Sequence, residues 1–103
     1  MFARAMSCRL KLDKKEEFSQ AARQLPNAYK NQAGFVDLLT FISDDRPDRA
    51  MVVALWNTKS DSHEFYLSHA PLLDLKPFIE EEQIEHYYVE DSNVLKKAGG
   101  QAA

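Results

Sequence analysis

The residue best suited to acid–base chemistry in this 103-residue chain is His69. It follows Ser62, Phe65 and Tyr66 at positions i, i+3, i+4 and i+7 of a helical pattern, so the four side chains share a face. An imidazole titrates near physiological pH and can accept a proton from a bound ligand. Pro71 then ends the helical pattern, which places His69 at the mouth of a pocket. The spacing therefore predicts a general base, with a histidine that only complements the helix dipole as the alternative.

Several aromatic and imidazole side chains could line a ligand site next to this helix. Trp56 closes an apolar run, tyrosines can donate hydrogen bonds to a phenolic ligand, and His86 lies on an alternating segment near the C-terminus. Each has a structural alternative, since buried aromatic residues more often fill a core and His86 could face a partner subunit. The residues that we predict to bind substrate are Trp56, Phe65, Tyr66, Tyr29 and His86.

The composition excludes several other classes of site and of protein. The single Cys8 forms no metal-binding pattern and no internal disulfide, which indicates a reducing compartment, so a cytoplasmic location is expected. We predict no metal site, because the run Glu80 to Glu82 reads as a solvated face. Net charge is −3 without a visible basic face, so nucleic acid is not an expected partner. No apolar run is long enough to cross a membrane, and the first six residues do not form a signal peptide.

The elements that must position these residues can be read from hydrophobic periodicity. Residues 2–12 alternate as a strand, Asp13 and Glu16 suggest an N-cap and its partner, and a helix follows as far as Pro26. A hairpin comes next, then a helix capped by Thr58, a compact connector and a final strand. The predicted hairpin strands are 35–42 and 50–56, the connector is 72–79 and the last strand is 84–89. The order β-α-β-β-α-β predicts an α+β, ferredoxin-like fold with a four-stranded antiparallel sheet.

The predicted hairpin is apolar on both faces, which has a consequence for assembly. Two helices can cover only one face of a four-stranded sheet. One face of the hairpin would carry Phe35, Leu39 and Phe41 with Val53, and the other Val52 and its neighbours. The second face needs a cover of its own, and another copy of the same sheet supplies one. A homodimer through the sheet is therefore expected.

The chain resembles the antibiotic biosynthesis monooxygenase domain family of dimeric α/β barrels. The resemblance spans about residues 2–91 and is carried by an ordered set of short features. These are Gly34-Phe35 after the first helix, the strand end Val53-Ala-Leu-Trp56, the polar helix entry 57–60, the exit Ser68-His-Ala-Pro71 and the last strand 85–89. We therefore predict one domain over residues 1–91, followed by a mobile C-terminal tail over residues 92–103.

The resemblance implies that the protein acts on an aromatic or quinol-like small molecule in a pocket between the sheet and the helices. One branch of the family oxygenates such molecules with O₂ and without a cofactor; His69 would then manage a proton. A second branch binds and degrades haem, using Asn, Trp and His. Here the corresponding positions are Ser7 or Cys8, Phe65 and Leu75, which depart from that pattern. The alternatives are a non-catalytic small-molecule binding barrel and then a haem-degrading relative.

Overall fold

A computed structural model describes residues 1–90 of the chain, so the predicted tail lies outside the described residues. The strands and helices follow the predicted order. They are β1 (Phe2–Leu10), α1 (Lys15–Gln24), α2 (Pro26–Tyr29), β2 (Phe35–Ile42), β3 (Arg49–Trp56), α3 (Lys59–Ser68), a 3-10 helix (Pro71–Phe78) and β4 (Ile79–Tyr88). The connector that the sequence predicted is thus this 3-10 helix. No helix in the described range is long and apolar enough to span a membrane.

The four strands form one antiparallel sheet in the order β2-β3-β1-β4. This order confirms the predicted α+β, ferredoxin-like arrangement. The first strand, β1, lies in the interior of the sheet and pairs with β3 on one side and β4 on the other. Alternate residues of β1 and β3 therefore point to opposite faces of the sheet.

The helices cover one face of the sheet, and the core lies between the two layers. From the helices, Phe18, Ala22, Leu25 and Phe65 pack into it, and Leu75 of the 3-10 helix is fully buried. The sheet contributes the alternate residues Met6, Cys8, Leu10, Ala50, Val52, Ala54 and Trp56. The predicted faces of β3, and of β1 as far as Leu10, are therefore the observed ones. Leu12 was predicted on the buried face, but it lies beyond the end of β1 and is exposed.

A bulge at Val36 changes the predicted faces of β2. Phe35 pairs with Trp56, whereas Asp37 pairs with Leu55, so two steps along β2 correspond to one along β3. An extra residue of this kind shifts the alternation of the strand. Phe35 therefore lies on the core side, 5.6 Å from the Trp56 ring. The sequence-based placement of Phe35 with Leu39 and Phe41 was wrong for this reason.

The predicted N-terminal cap is observed at α3 but not at α1. At α3 the cap is confirmed: the Asp61 N–H donates to Thr58 Oγ1 at 3.0 Å, and the Thr58 hydroxyl donates to the Asp61 carboxylate at 2.9 Å. At α1 the predicted cap was wrong. Asp13 has φ 60°, in the left-handed region, and Lys14 precedes the helix without a side-chain cap. A turn closed by the Lys14 N–H on the Lys11 carbonyl (3.1 Å) occupies this position instead.

The opposite face of the sheet, called here the open face, is apolar along β2 and β3 and is not covered by residues 1–90. Met51, Val53 and Leu55 of β3 point to it, and Leu39 and Phe41 of β2 are 37% and 47% exposed there. Such a contiguous apolar surface is unusual on a monomer. The registers also show that Val53 lies on the open face, whereas Val52 is in the core.

Gly34 lets β2 begin directly beside the cap of α3, and this suggests a stability test. Its φ is +76°, and a Cβ added there would overlap the carboxylate of Asp61. Gly34→Ala should lower the free energy of unfolding by about 2–3 kcal/mol, combining left-handed strain with the overlap. In an Asp61→Gly background, which also removes the overlapping Asp61 Cβ, the same change should cost only about 1–2 kcal/mol, the strain alone. Urea denaturation followed by circular dichroism measures both costs. Equal costs in the two backgrounds would contradict the close approach.

Candidate functional site

A cleft of about 530 Å³, called here the larger cleft, opens between α3 and the β1–β4 half of the sheet. Its floor consists of two cross-strand pairs, Phe2 with Tyr88 and Arg4 with His86. Tyr66 and other side chains of α3 form the opposite wall. The Phe2 ring stacks on the His86 ring at 5.7 Å and meets the Tyr88 ring edge-on at 5.5 Å. The floor is thus aromatic, with one guanidinium set into it.

A smaller cleft of about 260 Å³ lies between the sheet and the start of the 3-10 helix. His69 and Leu72 contribute to its walls. Arg4 and Tyr66 line both clefts, so these two side chains stand between them. The guanidinium carbon of Arg4 lies 3.8 Å from the centre of the Tyr66 ring, in a cation–π contact.

An aromatic cluster supports Tyr66 from behind. The Tyr29, Trp56 and Phe65 rings lie within 4.9–6.1 Å of one another. Tyr29 and Trp56 are fully buried and Phe65 is nearly so. Tyr66 is the member of the cluster that reaches the clefts. Of the residues predicted to bind substrate, Trp56, Phe65 and Tyr29 therefore form the layer beneath the cleft wall, and Tyr66 and His86 line the cleft itself.

Two tyrosine hydroxyls are paired inside this cluster. The Tyr29 and Tyr66 oxygens lie 2.9 Å apart, and either can donate. Burial raises the pKa of Tyr29 far above its ordinary range, and the neighbouring Tyr66 adds to the rise. Burial also raises the pKa of Tyr66, although Tyr29 and the Arg4 cation oppose the shift. Both hydroxyls are therefore neutral donors at physiological pH and cannot act as bases there.

The indole N–H of Trp56 is the one buried side-chain donor in residues 1–90 that makes no hydrogen bond. It lies near enough to the Tyr66 hydroxyl to favour the phenolate and oppose the rise in the Tyr66 pKa. The geometry of a hydrogen bond is nevertheless not met, and we regard the contact as electrostatic. The Trp56 and Tyr66 rings meet edge-on at 6.0 Å, which fixes the orientation of both.

His69 lies just beyond the end of α3 and is exposed. Its ring stacks on Phe65 at 4.6 Å, with 7° between the planes. Its Nδ1 is 3.1 Å from the Phe65 carbonyl oxygen, which can only accept, so that bond requires a proton on Nδ1. This tautomer leaves Nε2 with a free lone pair. The Ser68 hydroxyl lies 3.1 Å from the same Nδ1 and would donate to it in the other tautomer.

Arg4 is the site residue that sequence reasoning missed. It occupies β1 between Phe2 and Met6, so the same alternation that places those two side chains on the core side places Arg4 there as well. A charged residue on the buried face of a central strand is costly unless it is paired or reaches a cleft. That conflict between type and position was the signal in the sequence.

A third cavity, of about 440 Å³, lies at the other end of the sheet near Cys8 and Phe41. Burial raises the pKa of the Cys8 thiol to about 11, so the sulfur is a thiol at neutral pH. It lies 3.6 Å from the Ala50 carbonyl oxygen, to which it donates. Residues 1–90 contain no group of three or more histidine, cysteine or acidic side chains arranged to hold a metal ion. This cavity therefore lacks an activated nucleophile.

Comparison with solved structures shows which known proteins share this fold. A candidate antibiotic biosynthesis monooxygenase from Nitrosomonas europaea superposes with a TM-score of 0.74 at 20% identity, over 88% of this chain and 100% of that one. SnoaB from Streptomyces nogalater, named as a cofactor-independent oxygenase, gives 0.75 at 11% identity, over 89% and 95%. A candidate monooxygenase from Bordetella bronchiseptica gives 0.71 at 16%, over 85% and 95%. The fold is that of the antibiotic biosynthesis monooxygenases. Comparisons with family profiles and with curated proteins give no match.

The paired tyrosines predict a loss of stability at alkaline pH. Unfolded tyrosines ionise near pH ~10, whereas Tyr29 and Tyr66 hold their protons to higher pH in the folded chain. The native state then binds more protons than the unfolded state, so the free energy of unfolding should fall as the pH rises above about 10. Denaturation at a series of pH values should show a smaller fall for Tyr29→Phe/Tyr66→Phe. The exposed Tyr88→Phe is the control; an unchanged slope in the double variant would contradict the shifts.

Proposed function

We propose that the protein is a cofactor-independent monooxygenase that acts on an aromatic, quinol-like small molecule in the cleft between the sheet and the helices. The observation that carries the proposal is that Arg4 and Tyr66 stand between two clefts, the larger one lined by His86 and the smaller one by His69. The fold shared with SnoaB supports it. Cysteine usage is consistent with action in the cytoplasm.

In this proposal the chain prepares the substrate, which supplies the electrons. His69 Nε2 accepts the proton of a phenol, and the Arg4 guanidinium stabilises the anion that remains. The electron-rich ring carbon of this anion reduces O₂ and forms a C–O bond to it, and the peroxide anion takes back the proton from His69 to give a hydroperoxide. Loss of water from the resulting hydroperoxide breaks the O–O bond and leaves a carbonyl, so one oxygen atom is in the product and the other in water.

The buried aromatic cluster has a separate role in the proposed reaction. It supplies a wall for a planar ring and keeps water out of the region behind Tyr66. The Tyr66 hydroxyl, held by Tyr29, is a neutral donor that orients an oxygen of the substrate. Trp56 and Phe65 act through Tyr66 and are positioning residues in this scheme.

Two alternatives differ in what they require of the cleft. A non-catalytic binding barrel needs no titratable group there, whereas His69 and His86 each reach one of the two clefts, which favours catalysis. Haem degradation has less support. Leu75, at the position of the expected iron ligand, is fully buried in the core, and Ser7 lies on the open face.

Removal of the His69 base tests the proposed reaction. His69→Ala should lower turnover of a quinol by about 10²-fold, because proton transfer contributes roughly that factor. The residual rate should recover as the pH approaches the pKa of the substrate phenol, where no base is needed. Oxygen uptake with a panel of quinols measures both effects.

A matched variant separates basicity from structure at the same position. His69→Gln keeps a side-chain N–H that can donate to the Phe65 carbonyl but has no basic nitrogen. It should be as slow as His69→Ala while unfolding at the same temperature as the wild type. Wild-type rates in both variants, with slow turnover in His86→Ala, would assign the base to His86 instead.

The open face supports a further part of the proposal, a homodimer that buries this surface. Val53→Asp should produce a folded monomer, because an unpaired charge buried between two sheets costs several kcal/mol. Val53→Thr, which keeps the shape of the side chain, should remain dimeric. Light scattering gives the mass and circular dichroism reports the fold. A wild type that is monomeric at micromolar concentration would refute the dimer.

A further inference from the structure

The larger cleft carries positive charge that no carboxylate on its walls neutralises. Arg4 and Lys59 both line it, the imidazoles of His63 and His86 add polar groups, and none of its lining residues is acidic. Within residues 1–90, neither Arg4 nor Lys59 forms an ion pair. The chain as a whole has a net charge of −3, so composition does not explain this local excess.

Among the other cations that line the smaller cleft and the third cavity, Lys76 and Arg9 form ion pairs, and Arg49 is exposed to solvent. At the smaller cleft, Lys76 is bonded to Glu82. At the third cavity, Arg9 bonds both Glu80 and Glu81 at 2.9 Å. Arg4 differs from these cations because its side chain is partly buried and its guanidinium forms no ion pair. A partly buried cation without an anionic partner is costly, and a ligand anion would remove that cost.

The contact with Tyr66 presents Arg4 in a form suited to a planar anion. The central carbon of the guanidinium lies over the ring, 3.8 Å from its centre. A guanidinium in such a contact retains N–H donors for another partner. Two parallel N–H donors match the two oxygens of a carboxylate, and this bidentate geometry is the one that arginine provides and lysine does not.

The other residues that line the larger cleft suit an aromatic ligand. Phe2, Tyr66, Leu67 and Tyr88 are apolar or aromatic, and a volume of about 530 Å³ falls within the usual range for small-molecule sites. A fused aromatic ring system can pack against these side chains while its acid group reaches Arg4. Lys59, in the first turn of α3, places a second positive charge on the same cleft.

We propose that the larger cleft is a binding site for free aromatic acids, with the ring against Phe2 and Tyr88 and the carboxylate on Arg4. As a statement about substrate it rests on the proposed monooxygenase function. It narrows the substrates to aryl carboxylates with a phenol next to the acid group, because Arg4 borders both clefts and the base His69 lines the smaller one. As a statement about binding it is independent of turnover, so the two can fail separately.

The test compares two probes that differ only in the carboxylate, 1-hydroxy-2-naphthoate and 1-naphthol. Titration calorimetry under nitrogen at neutral pH gives both dissociation constants without oxidation. The acid should bind at least about 10-fold more tightly, as a charge-assisted bidentate contact implies. Arg4→Met, which keeps an unbranched apolar stem, should abolish the preference for the acid. Arg23→Met, the same substitution at an exposed position of α1, should keep the preference for the acid.

Each remaining outcome decides the inference. Equal affinities in the wild type, no binding of either probe, or a preference retained in Arg4→Met would overturn it. If Arg4→Met does not fold, the test uses Lys59→Met and, separately, added salt. Both changes should reduce the preference for the acid. A preference that neither change alters would overturn the inference. Acid binding without oxygen uptake would uphold the site and refute the oxygenase. Oxygen uptake with neutral quinols, without a preference for acids in binding, would uphold the oxygenase and refute the acid site.

Discussion

The structure depends on one constraint: its helices are enough to cover only one face of a four-stranded sheet. Side chains of β1 and β3 alternate between the faces, so each apolar strand supplies residues to both. On the covered side they form a core that includes Trp56 and Met6. On the open face, Val53 and Phe41 are not covered by residues 1–90. The proposed dimer and the proposed ligand site thus belong to opposite faces of the same sheet.

The same constraint explains where the larger cleft forms. The short helix α3 packs on the inner strands β1 and β3. The distal half of the edge strand β4 therefore receives little cover, and His86 and Tyr88 stay exposed although they point to the helical side. Arg4, one strand inward, can reach this gap from an otherwise apolar row. A charged residue is tolerated on the core face of β1 because the helix layer ends there.

Much of the fold could be predicted from periodicity, and each wrong prediction has a specific structural cause. Strand alternation and the Thr58 cap are determined by neighbours in sequence, and both are confirmed. The side of the sheet on which Phe35 lies depends on a bulge defined by pairing with β3, which no local pattern encodes. The start of α1 depends on Asp13 adopting a left-handed conformation. Three of the six predicted site residues, Tyr66, His69 and His86, line a cleft, and the other three contact Tyr66. Arg4 was missed because the strand pattern was read for apolar residues alone.

The groups in the candidate site have different roles because they differ in their exposure to water. Burial makes Tyr29 and Tyr66 weaker acids, so they can donate hydrogen bonds but cannot accept a proton at neutral pH. Arg4 keeps its charge in any environment and can only donate. A proton acceptor must therefore come from the rim of the site, where an imidazole is exposed. His69 meets this condition through its exposure, and the bond between Nδ1 and the Phe65 carbonyl orients the ring so that Nε2 is the available base. A site that combines fixed buried donors with an exposed base can bind the neutral phenol and then stabilise its anion, which is the order of events that the proposed oxygenation requires.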